Sequence, residues 1–318
     1  MRDQIPLWLH RFAVFTAAAT LILIFVGALV TSTGSGLAVP DWPLSFGQVF
    51  PPMVGGVLFE HGHRIVASSV GMLMVTLMVL LFYWETRSWV RWLARAAVLT
   101  VVLQGLLGGL TVLLRLPTLV SVTHACVAQA FFCLTVILSV CTAPGWYVQR
   151  RQWVETLSPS LRLITTGMTV MIYVQLILGA LMRHTGAGLA IADFPLAFGR
   201  LIPPFESPGV IIHFLHRLGA VAVTFGIGWT VIRVFSQYPA ETYLRRPALV
   251  LTGLLFIQLT LGALTIWTQR SVLPMTAHVA VGAALLATSL LLTLRAYRLI
   301  NAAVSVRRPG FFSEQVMT

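Results

Sequence analysis

Eight apolar runs divide the chain, near 12–33, 62–83, 93–114, 118–141, 161–183, 210–235, 247–268 and 273–297. A helix needs about 20 such residues to cross a bilayer. None of the runs has the alternation of a membrane β-barrel strand. The pattern therefore predicts an all-α, polytopic membrane protein with eight transmembrane helices. The first run is too long for a secretory leader and precedes no clear cleavage site, so it reads as the first membrane helix. On one side of the membrane two connections are long, 34–60 and 186–209, and rich in Gly and Pro. Loops of that length usually carry function or short elements of their own.

Composition agrees. Of 318 residues 58% are hydrophobic and 9% charged, against about 25% charged in a soluble domain. The mean hydropathy is +0.89. A disordered chain and a soluble enzyme are both excluded. The basic residues number 21 against 9 acidic, and all are Arg. In a soluble chain that excess would suggest nucleic acid. Here Arg flanks apolar runs, so it reads as topology signal, with lipid and no nucleic acid as the partner. Six, Arg64, Arg115, Arg183, Arg200, Arg217 and Arg270, fall on the long-loop side. The other fifteen, among them Arg2, Arg150, Arg151, Arg307 and Arg308, fall on the opposite side. The positive-inside rule then places both termini in the cytoplasm. Cys126, Cys133 and Cys141 share one apolar run without a CxxC pair, and read as small core residues.

The long loops match each other. Residues 27–47, GALVTSTGSGLAVPDWPLSFG, align with 179–199, GALMRHTGAGLAIADFPLAFG, at an offset of 152. Downstream, His63-Arg64 aligns with His216-Arg217 at offset 153. Gln104–Thr111 aligns with Gln258–Thr265, and His124 with His278, at offset 154. The chain is thus two repeat-related four-helix bundles, 1–150 and 151–318, expected to share one orientation. Gly105, Gly108, Gly109, Gly262 and Ala263 suggest close helix approach, and Gln104, Gln175 and Gln258 suggest interhelical bridges.

Four histidines fall in the repeat at one depth: His63, His124, His216 and His278. Ionisable groups inside a membrane are functional by default. Bundle cores hold cofactors between facing helices, and two neutral imidazoles from opposite sides suit a haem iron. Zinc would want more ligands. One haem per half, with these four as axial ligands, is the expectation. Arg64 and Arg217 either pair with haem propionates or snorkel at the interface. Glu60 lies three residues before His63, on its face if the helix has begun there, and its counterpart is His213. A carboxylate in one half only is asymmetry that an electron carrier would not need. Asp41 and Asp193, beside Pro, read as turn residues. Trp42 and Phe194 either cover a haem edge or anchor at the interface. His10, His61 and His184 lack repeat partners; His61 is expected to point elsewhere, and His10 and His184 to lie at the interface.

Eight helices in two repeats, with Glu60-His61-Gly62-His63-Arg64, Thr123-His124-Ala125, His216-Arg217, Ala277-His278 and the GxGLAVPDWPL loop, resemble the haem A synthase family over nearly the whole chain. The resemblance implies oxidation of the C8 methyl of haem O to a formyl group, giving haem A for terminal oxidases. It implies that the N-terminal half holds the substrate haem at His63 and His124, that the C-terminal half holds haem b at His216 and His278, and that Glu60 is the catalytic carboxylate. A bacterial-type inner or plasma membrane and a haem O synthase as neighbour follow from it. Some members carry a cysteine pair in the first outer loop. Residues 34–60 contain none, so the chain resembles members lacking the pair. A di-haem b-type electron-transfer protein or a non-catalytic haem carrier would also explain the histidines, but not the Glu60/His213 asymmetry or the matched loops.

Overall fold

A computed structural model describes residues 5–147, 152–155 and 157–302. Arg2, Arg150, Arg151, Arg307 and Arg308, used above for orientation, lie outside the described residues. The described residues form eight long helices: α1 Leu7–Ser32, α2 Gly56–Trp84, α3 Ser88–Leu113, α4 Thr118–Cys141, α5 Leu161–His184, α6 Pro208–Gln237, α7 Thr242–Trp267 and α8 Val272–Leu299. Each is long and apolar enough to cross a membrane. The chain is an all-α multi-pass membrane protein.

Contacts close the helices into two rings. α1 packs on α2, α2 on α3, α3 on α4 and α4 back on α1; α5 to α8 repeat the circuit. Each ring has its own buried core, around Leu77, Leu81 and Leu138 in the first and Leu251, Leu286 and Leu292 in the second. The rings meet through α1 and α4 on one side and α5 and α8 on the other, around Phe132, Val136 and Ala283.

Four helices start five or six residues earlier than hydropathy suggests: α1 at Leu7, α2 at Gly56, α3 at Ser88 and α7 at Thr242. In α2 the first turns carry Glu60, His61, His63 and Arg64, which lower the local hydropathy without breaking the helix. Glu60, His63 and Arg64 are consequently helical, and i, i+3 and i, i+4 neighbours share a face. His63 and His216 lie about two turns inside their helices rather than at the ends. Residues 153–155 and 300–302 form a two-stranded parallel pair, which apolar periodicity could not reveal. Beside it, Glu155 accepts from Leu161 N (2.7 Å) and pairs with Arg233 (3.1 Å).

A cation joins the rings. Arg183, near the end of α5, donates to Ala28 O (2.7 Å) and Ser32 Oγ (2.8 Å) in the last turns of α1. The carbonyls of these last turns, Ala28 O among them, carry the negative end of the helix dipole. A charged hydrogen bond contributes about 1.5–3 kcal/mol. Arg183→Leu is expected to lower the thermal unfolding temperature of the detergent-solubilised protein by several degrees; an unchanged melting curve would show the link to be dispensable.

Candidate functional site

His63 on α2, His124 on α4, His216 on α6 and His278 on α8 all line one cavity of 1540 Å³ that spans both rings. A usual small-ligand pocket measures about 300–1,000 Å³, so this one has room for two large ligands.

Each imidazole rests on a glycine of the preceding helix. A Cβ placed on Gly27 would lie 3.0 Å from His63 Cε1, and one on Gly179 3.1 Å from His216 Cε1. On Gly108 it would lie 3.4 Å from His124 Cε1, and on Gly262 3.2 Å from His278 Cε1. Gly108 and Gly262 stand out in the sequence as packing residues; the structure makes them histidine seats. Gly27 and Gly179 went unrecognised there, although both open the repeated Gly-Ala-Leu. Gly105 departs from expectation: a Cβ there meets nothing within 4 Å. Gly27→Val is expected to displace the His63 ring and abolish haem loading of the first half, with the second half's haem absorption intact. Equal haem content in variant and parent would remove the seat from the argument.

The three glutamines bridge helices, and each bridge ends on a histidine. Gln104 Nε2 donates to His124 O (2.9 Å), and Gln175 Nε2 donates to His216 O (2.7 Å) while lying 3.1 Å from His216 Nδ1. Gln258 Nε2 lies 3.3 Å from His278 Nε2. His63 Nδ1, His124 Nδ1 and His278 Nδ1 are buried without a hydrogen-bond partner among the described residues. Buried polar atoms are normally paired; these Nδ1 atoms lie on the glycine side, 3.4–4.0 Å from the placed Cβ atoms, and it is the convergence of four imidazoles on one large cavity that suits a ligand. The His216 and His278 ring centroids are 6.4 Å apart. That is about the separation a single metal needs between two imidazoles with bonds of roughly 2.0–2.1 Å. No group of three or more His, Cys, Asp or Glu suited to a metal ion occurs among the described residues. The donor set fits a haem held by two opposed imidazoles in each ring.

Glu60 is buried and lines the cavity. Its Oε2 accepts from Val39 N (2.8 Å) and its Oε1 pairs with Arg64 (2.7 Å). The repeat mate keeps half of this arrangement: Ile191 N donates to His213 Nδ1 (3.3 Å). Position 60/213 therefore ties the outer loop to its helix in both rings, with a carboxylate in only the first.

The two arginines clamp the loops. Arg64 donates to Asp41 O (2.8 Å) and Leu44 O (2.7 Å), and Arg217 to Asp193 O (2.6 Å) and Leu196 O (2.8 Å). Both also line the cavity. Asp41 accepts from Phe46 N and Gly47 N, and Asp193 from Phe198 N and Gly199 N, at 2.7–2.9 Å. These turns need positive φ at residues 46, 47, 198 and 199. The Gly47 and Phe46 amides hold the Asp41 carboxyl below its ordinary range, and Gly199 and Phe198 do the same for Asp193. A depressed carboxylate stabilises the fold above its unfolded pKa and loses that contribution as pH falls through the folded value. The turns therefore persist through neutral pH.

Trp42 packs over Gly109, where a Cβ would lie 2.6 Å from the indole, and Trp42 and Phe194 both line the cavity. His61 faces the loop, with Nδ1 2.8 Å from Ser45 Oγ. His10 lies 3.4 Å from Thr142 Oγ1. His184, the last residue of α5, lines the cavity.

A family model described as "COX15-CtaA: Cytochrome oxidase assembly protein" matches residues 10–56 and 54–290. A protein of Symbiobacterium thermophilum named "Heme A synthase" is 33% identical over 270 residues, covering 80% of this chain and 85% of that one. One of the same name from Shouchella clausii is 30% identical over 262 residues, 80% and 83% of the two chains. Another from Geobacillus thermodenitrificans is 29% identical over 311 residues, 95% and 94%.

Proposed function

The chain belongs to the COX15-CtaA family of cytochrome oxidase assembly proteins, and from that premise we propose that it acts as a haem A synthase, oxidising the C8 methyl group of haem O to the formyl group of haem A. In this reading it is a membrane oxidoreductase of haem biosynthesis that serves terminal oxidase assembly. Haem O is the substrate, held in the 1–150 half between His63 and His124. Haem b is the cofactor, held in the 151–318 half between His216 and His278. The observation that carries this division is the exchange of Glu60 for His213 at one loop tie.

Oxidising an unactivated methyl group is beyond any side chain. Haem b, when bound, supplies a one-electron relay in the second half. The protein's own residues do the rest. The glycine seats fix the imidazoles, and fixed ligands cost no reorganisation on binding. Arg64 and Val39 N hold the Glu60 carboxylate at the cavity wall, where it accepts a proton or orients water at the substrate methyl. The methyl-to-formyl conversion removes four electrons and adds one oxygen atom, so it needs an electron acceptor and an oxygen donor from outside the chain; a hydrate formed at that carbon would lose water to give the aldehyde. The Arg64 and Arg217 guanidiniums place positive charge at the cavity edge, suited to haem propionates. Both termini lie in the cytoplasm of a bacterial-type plasma membrane, and a haem O synthase supplies the substrate.

The deciding experiment is mass analysis of haems extracted from cells making this chain together with haem O synthase. Hydroxymethyl and formyl haem that depend on the chain are expected. Untouched haem O beside a folded, haem-loaded protein would leave an electron carrier or haem carrier instead.

A further inference from the structure

The cavity wall does not reach equally far along α2 and α6. In the first ring the cavity runs down the seam between α2 and α3, past Gly71, Met72, Val75 and Thr76 on one wall and Val102 and Gly105 on the other. On α2 these residues, at i, i+1, i+4 and i+5, share one face. Val75 lies about 18 Å below His63 at 1.5 Å rise per residue. Met72 is 66% exposed and Val102 54% while both line the cavity, so this wall faces lipid, as the second ring's does at Phe225, 74% exposed.

The repeat supplies the comparison. Thr224, Phe225, Trp229, Phe256 and Leu259 stand at the positions of Gly71, Met72, Thr76, Val102 and Gly105. Only Val75 has a smaller mate, Gly228. Along α6 the cavity wall ends at Phe225, the mate of Met72, one turn short of the depth reached in the first ring. Gly71 and Gly105 do not serve helix packing, since a Cβ on either meets nothing within 4 Å. Above the seam, His63 Nδ1 and His124 Nδ1 stay buried and unpartnered.

We propose that the α2–α3 seam receives the isoprenoid chain of haem O, and that bulk at the matching α6–α7 seam restricts the second ring to a haem without such a chain. This rests on the reading of haem O as substrate of the first half. A long hydrocarbon chain in an apolar slot that faces lipid stays in hydrocarbon along its whole length, so the slot selects it by shape and room. The seam thereby decides which haem enters which ring, a choice that four equivalent histidines cannot make.

The test gives the first seam the second seam's residues: Gly71→Thr, Thr76→Trp and Gly105→Leu together, and Gly105→Leu alone as the milder variant. Purified protein is titrated with haem O and, separately, with protohaem. Haem O binding at the first half is expected to weaken at least tenfold, and protohaem binding there less than threefold. Retained low-spin absorption from the second half certifies the fold; if the triple variant loses it, Gly105→Leu is read in its place. Equal weakening of both haems, or no change in either, overturns the seam while leaving the substrate reading intact. Failure of the parent protein to bind haem O through His63 and His124 overturns the substrate reading and the seam with it.

Discussion

Glu60→His is expected to lower haem A formation by at least 100-fold while leaving the protein folded and loaded with haem. The substitution copies the second ring, where His213 Nδ1 already accepts the loop amide of Ile191. The tie to Val39 N therefore survives, and the imidazole fills much of the carboxylate's space. What disappears is the negative charge beside Arg64 and the free acceptor at the cavity wall: with Nδ1 taken by the loop amide, the other nitrogen of the neutral ring carries a proton and donates. General acid–base catalysis contributes about 10²–10⁴-fold, which sets the expected loss. Glu60→Ala is the less informative change, because it removes the loop tie together with the charge. Formyl haem within tenfold of the parent level in Glu60→His would reduce Glu60 to a loop anchor.

His216→Ala and His278→Ala are each expected to remove the low-spin absorption of the second ring's haem. Low spin needs both axial imidazoles, so either change suffices. Each leaves a hole between a glycine, Gly179 or Gly262, and a glutamine, Gln175 or Gln258. Loss of a ligand that binds only the folded state also lowers apparent stability, so unfolding should move to lower temperature. Added imidazole should refill the hole and restore the spectrum, which a merely structural histidine would not allow. An unaltered spectrum in either variant would end the bis-histidine assignment for that ring.

Much of this was legible in the sequence. The eight spans follow from apolar length, and the constant offsets between GALVTSTGSGLAVPDWPL and GALMRHTGAGLAIADFPL expose the duplication. The same offsets pick four histidines out of eight. Other features were hidden for physical reasons. The start of α2 was obscured because the polar run 60–64 lowers the hydropathy of a stretch that is nonetheless helical. The seats at Gly27 and Gly179 depend on which helices adjoin, and periodicity does not report that. Arg183 reaches from one ring into the other, a contact no local pattern encodes. Gly105 looked like a packing residue because small residues in membrane helices usually are; here it faces open space.

The shared loop tie at positions 60 and 213 has a consequence for how the two halves diverged. Both a carboxylate and an imidazole satisfy the same backbone amide, so the position tolerates exchange between an acid and a base without loss of the loop. A duplicated bundle with such a permissive position can acquire or discard a reactive group in one copy while the other preserves the ancestral architecture. Specialisation then requires few substitutions, and the intermediates along the way stay folded.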